Sequence, residues 1–275
     1  MSASGDPATG YFAPAGVAWR VGRELALLLG GGRALLLQVA HPLVAAGVSD
    51  HSDYRRDPWK RLEGTMSAVW AIVFGSRPEA DRAAARVRAM HSRVHGHTAA
   101  PMGPFPAGTP YSALDPALLM WVHATLVDTA LVVHRGWVGS LSAGEEAAYY
   151  EEMKTAARLF GTPDEVMPAN LGDFRAYMEE MLDSPDLSAT DTARAIAAAV
   201  MHPPLPLALR PAMELANLVT AGLMPPRLRR EYGLAWDPAR AALVAASRET
   251  TRRLLMPLLP ARLRTVPTAR AKHRP

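Results

Sequence analysis

The run LLMWVHATLVDTALVV, Leu118 to Val133, is the strongest constraint on what this chain can fold into. It is shorter than the roughly 20 apolar residues a bilayer span needs, and it carries His123 and Asp128 in its interior. A helix that is apolar nearly all round has to be covered by other helices, so the run predicts a buried helix rather than a membrane anchor. Both polar side chains then need internal partners. Two readings stand for them, a proton relay and a satisfied polar pair that bridges helices.

The rest of the chain is patterned to cover it. Apolar residues recur at helical spacing, and no segment shows four or more clean alternations of β-branched or aromatic residues bounded by hairpin turns. Helices are expected over Val17 to Leu29, Arg33 to Val48, Pro58 to Phe74, Arg77 to His95, Pro116 to Gly136 and Ser142 to Phe160. Five more follow, over Leu171 to Ser184, Ala189 to Val200, Pro206 to Ala221, Pro225 to Tyr232 and Pro238 to Leu254. Asp57-Pro58, Asp115-Pro116 and Asp237-Pro238 each set a capping carboxylate before a proline at the first helical position. The expectation is a single all-α domain of about ten helices over residues 16–270, with a lead-in over 1–15 and a basic tail over 271–275.

Composition narrows the chemistry. The chain has no cysteine, so disulfides, thiolate metal sites and cysteine nucleophiles are excluded. Metal chemistry would have to run on His, Asp, Glu or a prebuilt cofactor. The opening MSASGDPATGYFAPAG lacks the basic and apolar regions of a secretory signal, which sets a cytoplasmic location as the expectation. From Pro225 onward the chain carries a net charge of +9. That segment could touch nucleic acid or an anionic membrane surface. The plainer expectation is a solvated, Arg-rich helix and tail, with only weak and sequence-independent nucleic-acid binding.

VRAMHSRVHGH, Val87 to His97, holds three of the nine histidines. At 100° per residue, Ala80, Ala83, Ala84, Val87, Met90 and Val94 share one helix face, and His91 falls within that stripe and points inward. His95 and His97 fall at the helix end, with Gly96 in the position of a C-cap. His91 alone is then either a hydrogen-bonded core residue or a ligand. A zinc or non-haem iron site needs three or four converging ligands, whereas haem asks for as little as one imidazole. On the preceding helix Arg61 and Thr65 stand four apart and look toward the same interior, either as structural groups or as donors to a bound anion or oxygen species. His41 and His51 cap, bridge waters or line the pocket.

The ordered set QVAHPLVAAGVSDHSDY, RLEGT, IVFG, VRAMHSRVHG, GTPYSALDPALLMWVHATLVD, YYEEMK, LRREYGLAW and LLPARLRTVPTAR resembles the MpaB-like oxygenase family. That family includes the catalytic domain of the bacterial rubber oxygenase called latex-clearing protein. The resemblance implies an all-α fold with a globin-like core and a b-type haem whose axial ligand is His91, with Arg61 and Thr65 at the distal side or the propionates. His41 and His123 are further candidates for the cofactor pocket. Where the rubber oxygenase has a distal lysine, this chain has Gly64, which leaves the sixth iron position more open. Asp50 is the nearest acidic residue in the stretch that carries that family's base, and it is assigned no role. The implied activity is a haem-dependent oxygenase that uses O₂ on a small apolar substrate, isoprenoid or polyketide in character. The competing readings are a haem-binding sensor or carrier and a haem-free helical scaffold.

Overall fold

The computed structural model describes residues 10–52 and 58–272, the side chains of 58–63 and 271–272 excepted. The helices, in chain order, begin with α1 (Val17–Gly22), α2 (Gly31–Ala40), α3 (Pro42–His51), α4 (Pro58–Phe74) and α5 (Arg77–His91). After two short strands, β1 (His95–His97) and β2 (Pro110–Ser112), come α6 (Pro116–Val133), α7 (Ala143–Phe160), α8 (Leu171–Asp183) and α9 (Asp191–Met201). The chain closes with α10 (Arg210–Leu223), α11 (Pro226–Glu231), α12 (Pro238–Thr250), α13 (Met256–Leu258), α14 (Ala261–Arg264) and α15 (Pro267–Lys272). The fold is all-α, as the periodicity predicts.

Local chemistry sets the boundaries. Asp115 caps α6 by accepting from the Ala117 and Leu118 amides at 2.8 and 3.1 Å, and Asp237 caps α12 through the Arg240 amide at 2.8 Å. Asp57, the third carboxylate of this type, lies outside the described residues. The helix expected over Arg33 to Val48 is two helices, because His41 precedes a proline and takes an extended backbone, φ −78° and ψ 115°. The chain bends there by 104° between the segments Leu25–Ala40 and Pro42–His51. The expected helix over Val17 to Leu29 likewise divides, into α1 and a 3₁₀ segment, Leu25–Gly30.

Helix α6 sits where its composition demands. With the π turn His134–Val138 that extends it, it is long and apolar enough to cross a membrane, yet most of it is buried inside the protein. Trp121, fully buried, donates its indole N–H to the Leu37 carbonyl at 3.1 Å and ties α6 to α2. The Tyr232 hydroxyl reaches the Leu36 carbonyl of the same helix at 2.8 Å. Asp128 finds its internal partner in Arg33 of α2, at 2.7 Å. Arg33 also donates to the Thr129 hydroxyl at 2.6 Å and to the Leu223 carbonyl at 2.9 Å, so one guanidinium joins α2, α6 and the end of α10. His123 takes no part in that network, so the two polar residues of the apolar run are not a pair.

Breaking this network should be costly because Arg33 is buried and would be left without a counter-charge. Asp128→Ala is expected to lower unfolding free energy in urea by about 2 to 3 kcal/mol, while the double variant Arg33→Met/Asp128→Leu recovers most of the loss. Equal losses in the single and double variants would contradict this.

Candidate functional site

Helices α4 and α5 form an antiparallel hairpin across Gly75 and Ser76, with Ser76 and Glu79 in a capping box that starts α5. Ala80, Ala83 and Ala84 are buried as the stripe predicts, but the face opens toward its carboxy-terminal end. Val87 is half-buried, Met90 is 57% exposed and His91 is half-buried. His91 therefore stands at the mouth of the hairpin rather than in the closed core. Its Nδ1 is buried and has no hydrogen-bond partner among the described residues. Burial also holds the His91 imidazole below its ordinary pKa, in the neutral form that can coordinate.

Helix α5 ends at His91, four residues earlier than expected, and the chain turns into β1. Gly96 is accordingly not a C-cap. It pairs with Tyr111 of β2, and a Cβ at Gly96 would lie 2.7 Å from the Tyr111 hydroxyl, so only glycine lets the ring lie against the strand. His95 and His97 are exposed on the same strand, as a surface placement requires. A Cβ at Gly47 of α3 would lie 3.2 Å from Val94, which packs α3 against the turn that follows His91.

The residues of the preceding helix fare differently. Thr65, which the helical wheel turns inward, is exposed, while Val69 behind it is half-buried and Ile72 is buried. The α4 stripe, like that of α5, is covered only near the hairpin turn. The side chain of Arg61 lies outside the described residues. His41, at the corner between α2 and α3, makes no side-chain cap. Its Nδ1 is buried with no partner among the described residues, its ring lies 5.5 Å from that of Phe105, and burial lowers its pKa. His123, on α6, is buried with its Nε2 unpartnered among the described residues, and burial pulls its pKa down to about 4.

A cluster that the sequence did not reveal stands beside the turn after α5. The buried Tyr111 donates its hydroxyl proton to Asp50 Oδ2 at 2.5 Å, and His51 Nε2 lies 3.3 Å from the Tyr111 hydroxyl oxygen. Burial and the Asp50 carboxylate push the Tyr111 phenol up to about 12, so it remains a donor. Asp50 also lines a cavity of about 670 Å³ together with Thr98, Met102, Ser188 and Arg194. The signal available in the sequence was the spacing Asp50-His51 at a helix end; its phenolic partner arrives from sixty residues away through the β1–β2 pairing.

No three His, Cys, Asp or Glu side chains converge on a metal position among the described residues.

With this geometry in hand, comparison with known proteins gives the class. Residues 19–255 match the family described as "ER-bound oxygenase mpaB/B'/Rubber oxygenase, catalytic domain", and the chain belongs to that family. An uncharacterized protein of Mycobacterium bovis and one of Mycobacterium tuberculosis are each 27% identical to it over 215 residues, covering 75% of this chain and 80% of theirs. No solved structure matches the chain. The oxygenase family makes an enzyme of the oxygenase class the coarse reading of the function.

The buried His123 makes a pH prediction whose sign is fixed. Its pKa of about 4 lies below the ordinary value near 6.5, so the unfolded chain takes up the proton first as pH falls. The contribution of neutral His123 to stability is full above about pH 6.5, declines toward pH 4 and levels off below it, with a total loss of about 3 kcal/mol. His123→Leu should unfold within about 1 kcal/mol of wild type at pH 7 and be the more stable protein at the acid end of that window. Parallel stability profiles for the two proteins would exclude the assignment.

Proposed function

We propose that the protein is a haem b-dependent oxygenase that holds its cofactor through His91 and acts on a small apolar substrate with O₂. One observation carries the reading: on a family-matched oxygenase domain, His91 presents a neutral imidazole, its buried Nδ1 without a partner among the described residues, at the end of a helix hairpin whose apolar faces are uncovered just there. Bound there, the haem supplies the iron that activates O₂ for oxidation of a carbon–carbon double bond or an activated C–H position. What the chain itself contributes is holding and orientation. The His91 imidazole, held neutral by burial and with its Nδ1 lacking a partner among the described residues, would supply the one protein nitrogen that the haem requires.

Arg61 and Thr65 stand one turn apart in the sequence of α4. They anchor a propionate or donate to a polarised oxygen species. Val69, Ile72, Ala80 and Ala84 keep water from the closed end of the hairpin. The exposed Asp50 carboxylate, which accepts the Tyr111 hydroxyl proton, lies at the wall of the neighbouring cavity. The substrate is read as isoprenoid or polyketide in character, and the location as cytoplasmic. Support for the first comes from the rubber and mpaB oxygenases of the family, and from Gly64 leaving that side of α4 uncrowded, since a Cβ there would meet nothing within 4 Å.

His91→Ala is expected to abolish the haem absorption band while helical circular dichroism persists, and His41→Ala and His123→Ala should keep the band. The opposite pattern sinks the proposal. Arg61→Ala and Thr65→Val should leave haem stoichiometry near normal and weaken carbon monoxide affinity about 30- to 150-fold. Unchanged affinity with a lowered melting temperature would make both residues structural.

A further inference from the structure

The carboxy-terminal stretch presents a surface that the oxygenase site does not use. Past α12 the helix loosens into a π turn, Thr251–Leu255, and α13 and α14 follow, with Pro257 in the first turn of α13 and Pro260 before α14. Along this stretch Leu254, Leu255, Leu258 and Leu263 are 56%, 46%, 77% and 53% exposed. Isolated surface leucines are ordinary, but four exposed ones within ten residues of one short segment need a reason.

The charges that accompany them are of one sign. Arg252, Arg253, Arg262, Arg264 and Arg270 fall between Thr250 and Arg270, and that interval has no Asp or Glu. Among the described residues, the carboxylates that reach these arginines are Glu249, shared by Arg252 and Arg253, and Glu24, 4.0 Å from Arg264. The surface therefore offers exposed apolar side chains and an excess of guanidinium together.

Three occupants can be compared on that chemistry. A second copy docking by two-fold symmetry would set the same arginines against one another. A nucleic acid would take the arginines but leave the leucines in water, and no aromatic side chain follows Trp236 to stack on bases. An anionic bilayer satisfies both halves, with guanidinium groups at the phosphates and leucines in the headgroup–acyl boundary. The two prolines interrupt the helix within a few residues, so the segment lies on a membrane rather than crossing it. We propose that the segment from Thr251 to Arg264 docks the protein on an anionic phospholipid surface. An apolar substrate dissolved in such a bilayer would then be concentrated near the enzyme.

Co-sedimentation of the full chain with vesicles of phosphatidylcholine, alone or mixed with phosphatidylglycerol, tests this. The protein should pellet with the mixed vesicles, pellet less at high salt, and stay in solution with the neutral ones. Arg252→Gln/Arg253→Gln should weaken binding about 25-fold, at about fivefold per arginine. Leu254→Ser/Leu258→Ser should weaken it at least about tenfold. Both variants alter exposed side chains, so their melting temperatures should match wild type. No binding to mixed vesicles, equal binding to neutral ones, or a solution dimer lost in the leucine variant would each overturn the proposal.

Discussion

The structure depends on burying a helix that is apolar on every side. Helix α6 cannot meet water along most of its length, so the other helices have to enclose it, and its one carboxylate must be neutralised within the protein. Arg33 does this from α2, and the same guanidinium reaches the end of α10. A buried ion pair of this kind adds little net stability over an apolar substitute, but it penalises any packing that separates its members. It thereby fixes the register of three helices that are far apart in sequence.

That enclosed frame carries a hairpin that is only partly enclosed. Helices α4 and α5 are sealed where they meet, through Ile72, Phe74, Ala80 and Ala84, and open at the other end, where Thr65, Met90 and His91 reach solvent. The turn after His91 is held from outside by Gly47, Gly96 and Tyr111, so the imidazole is positioned by a rigid neighbourhood even though its own side chain is half free. Its place at the border of core and opening keeps the imidazole neutral, and in the proposed reading that is where the haem is held.

Much of this was legible in the sequence, for identifiable reasons. The Asp-Pro starts of α6 and α12 act through the first turn of a helix, so local sequence suffices to read them. The burial of α6 follows from composition alone. The break at His41 was missed although proline restricts the residue before it, because the apolar pattern runs through the corner without interruption. Thr65 and Met90 were turned inward by a helical wheel, which reports the apolar side of a helix but not where its neighbour ends. Arg33 with Asp128, and Tyr111 with Asp50, are contacts between residues far apart in the chain, and no spacing rule encodes them. Gly96 was read as a helix terminator when its small size serves a ring packed against it from another strand.

The central claim is that His91 binds haem, and the most direct measurement is the absorption spectrum of wild-type protein purified from cells supplied with iron and a haem precursor. A red protein with a Soret band and about one haem per chain, its bands shifting on reduction and carbon monoxide addition, is the predicted result. A colourless, well-folded protein that also fails to take up added haemin would contradict it.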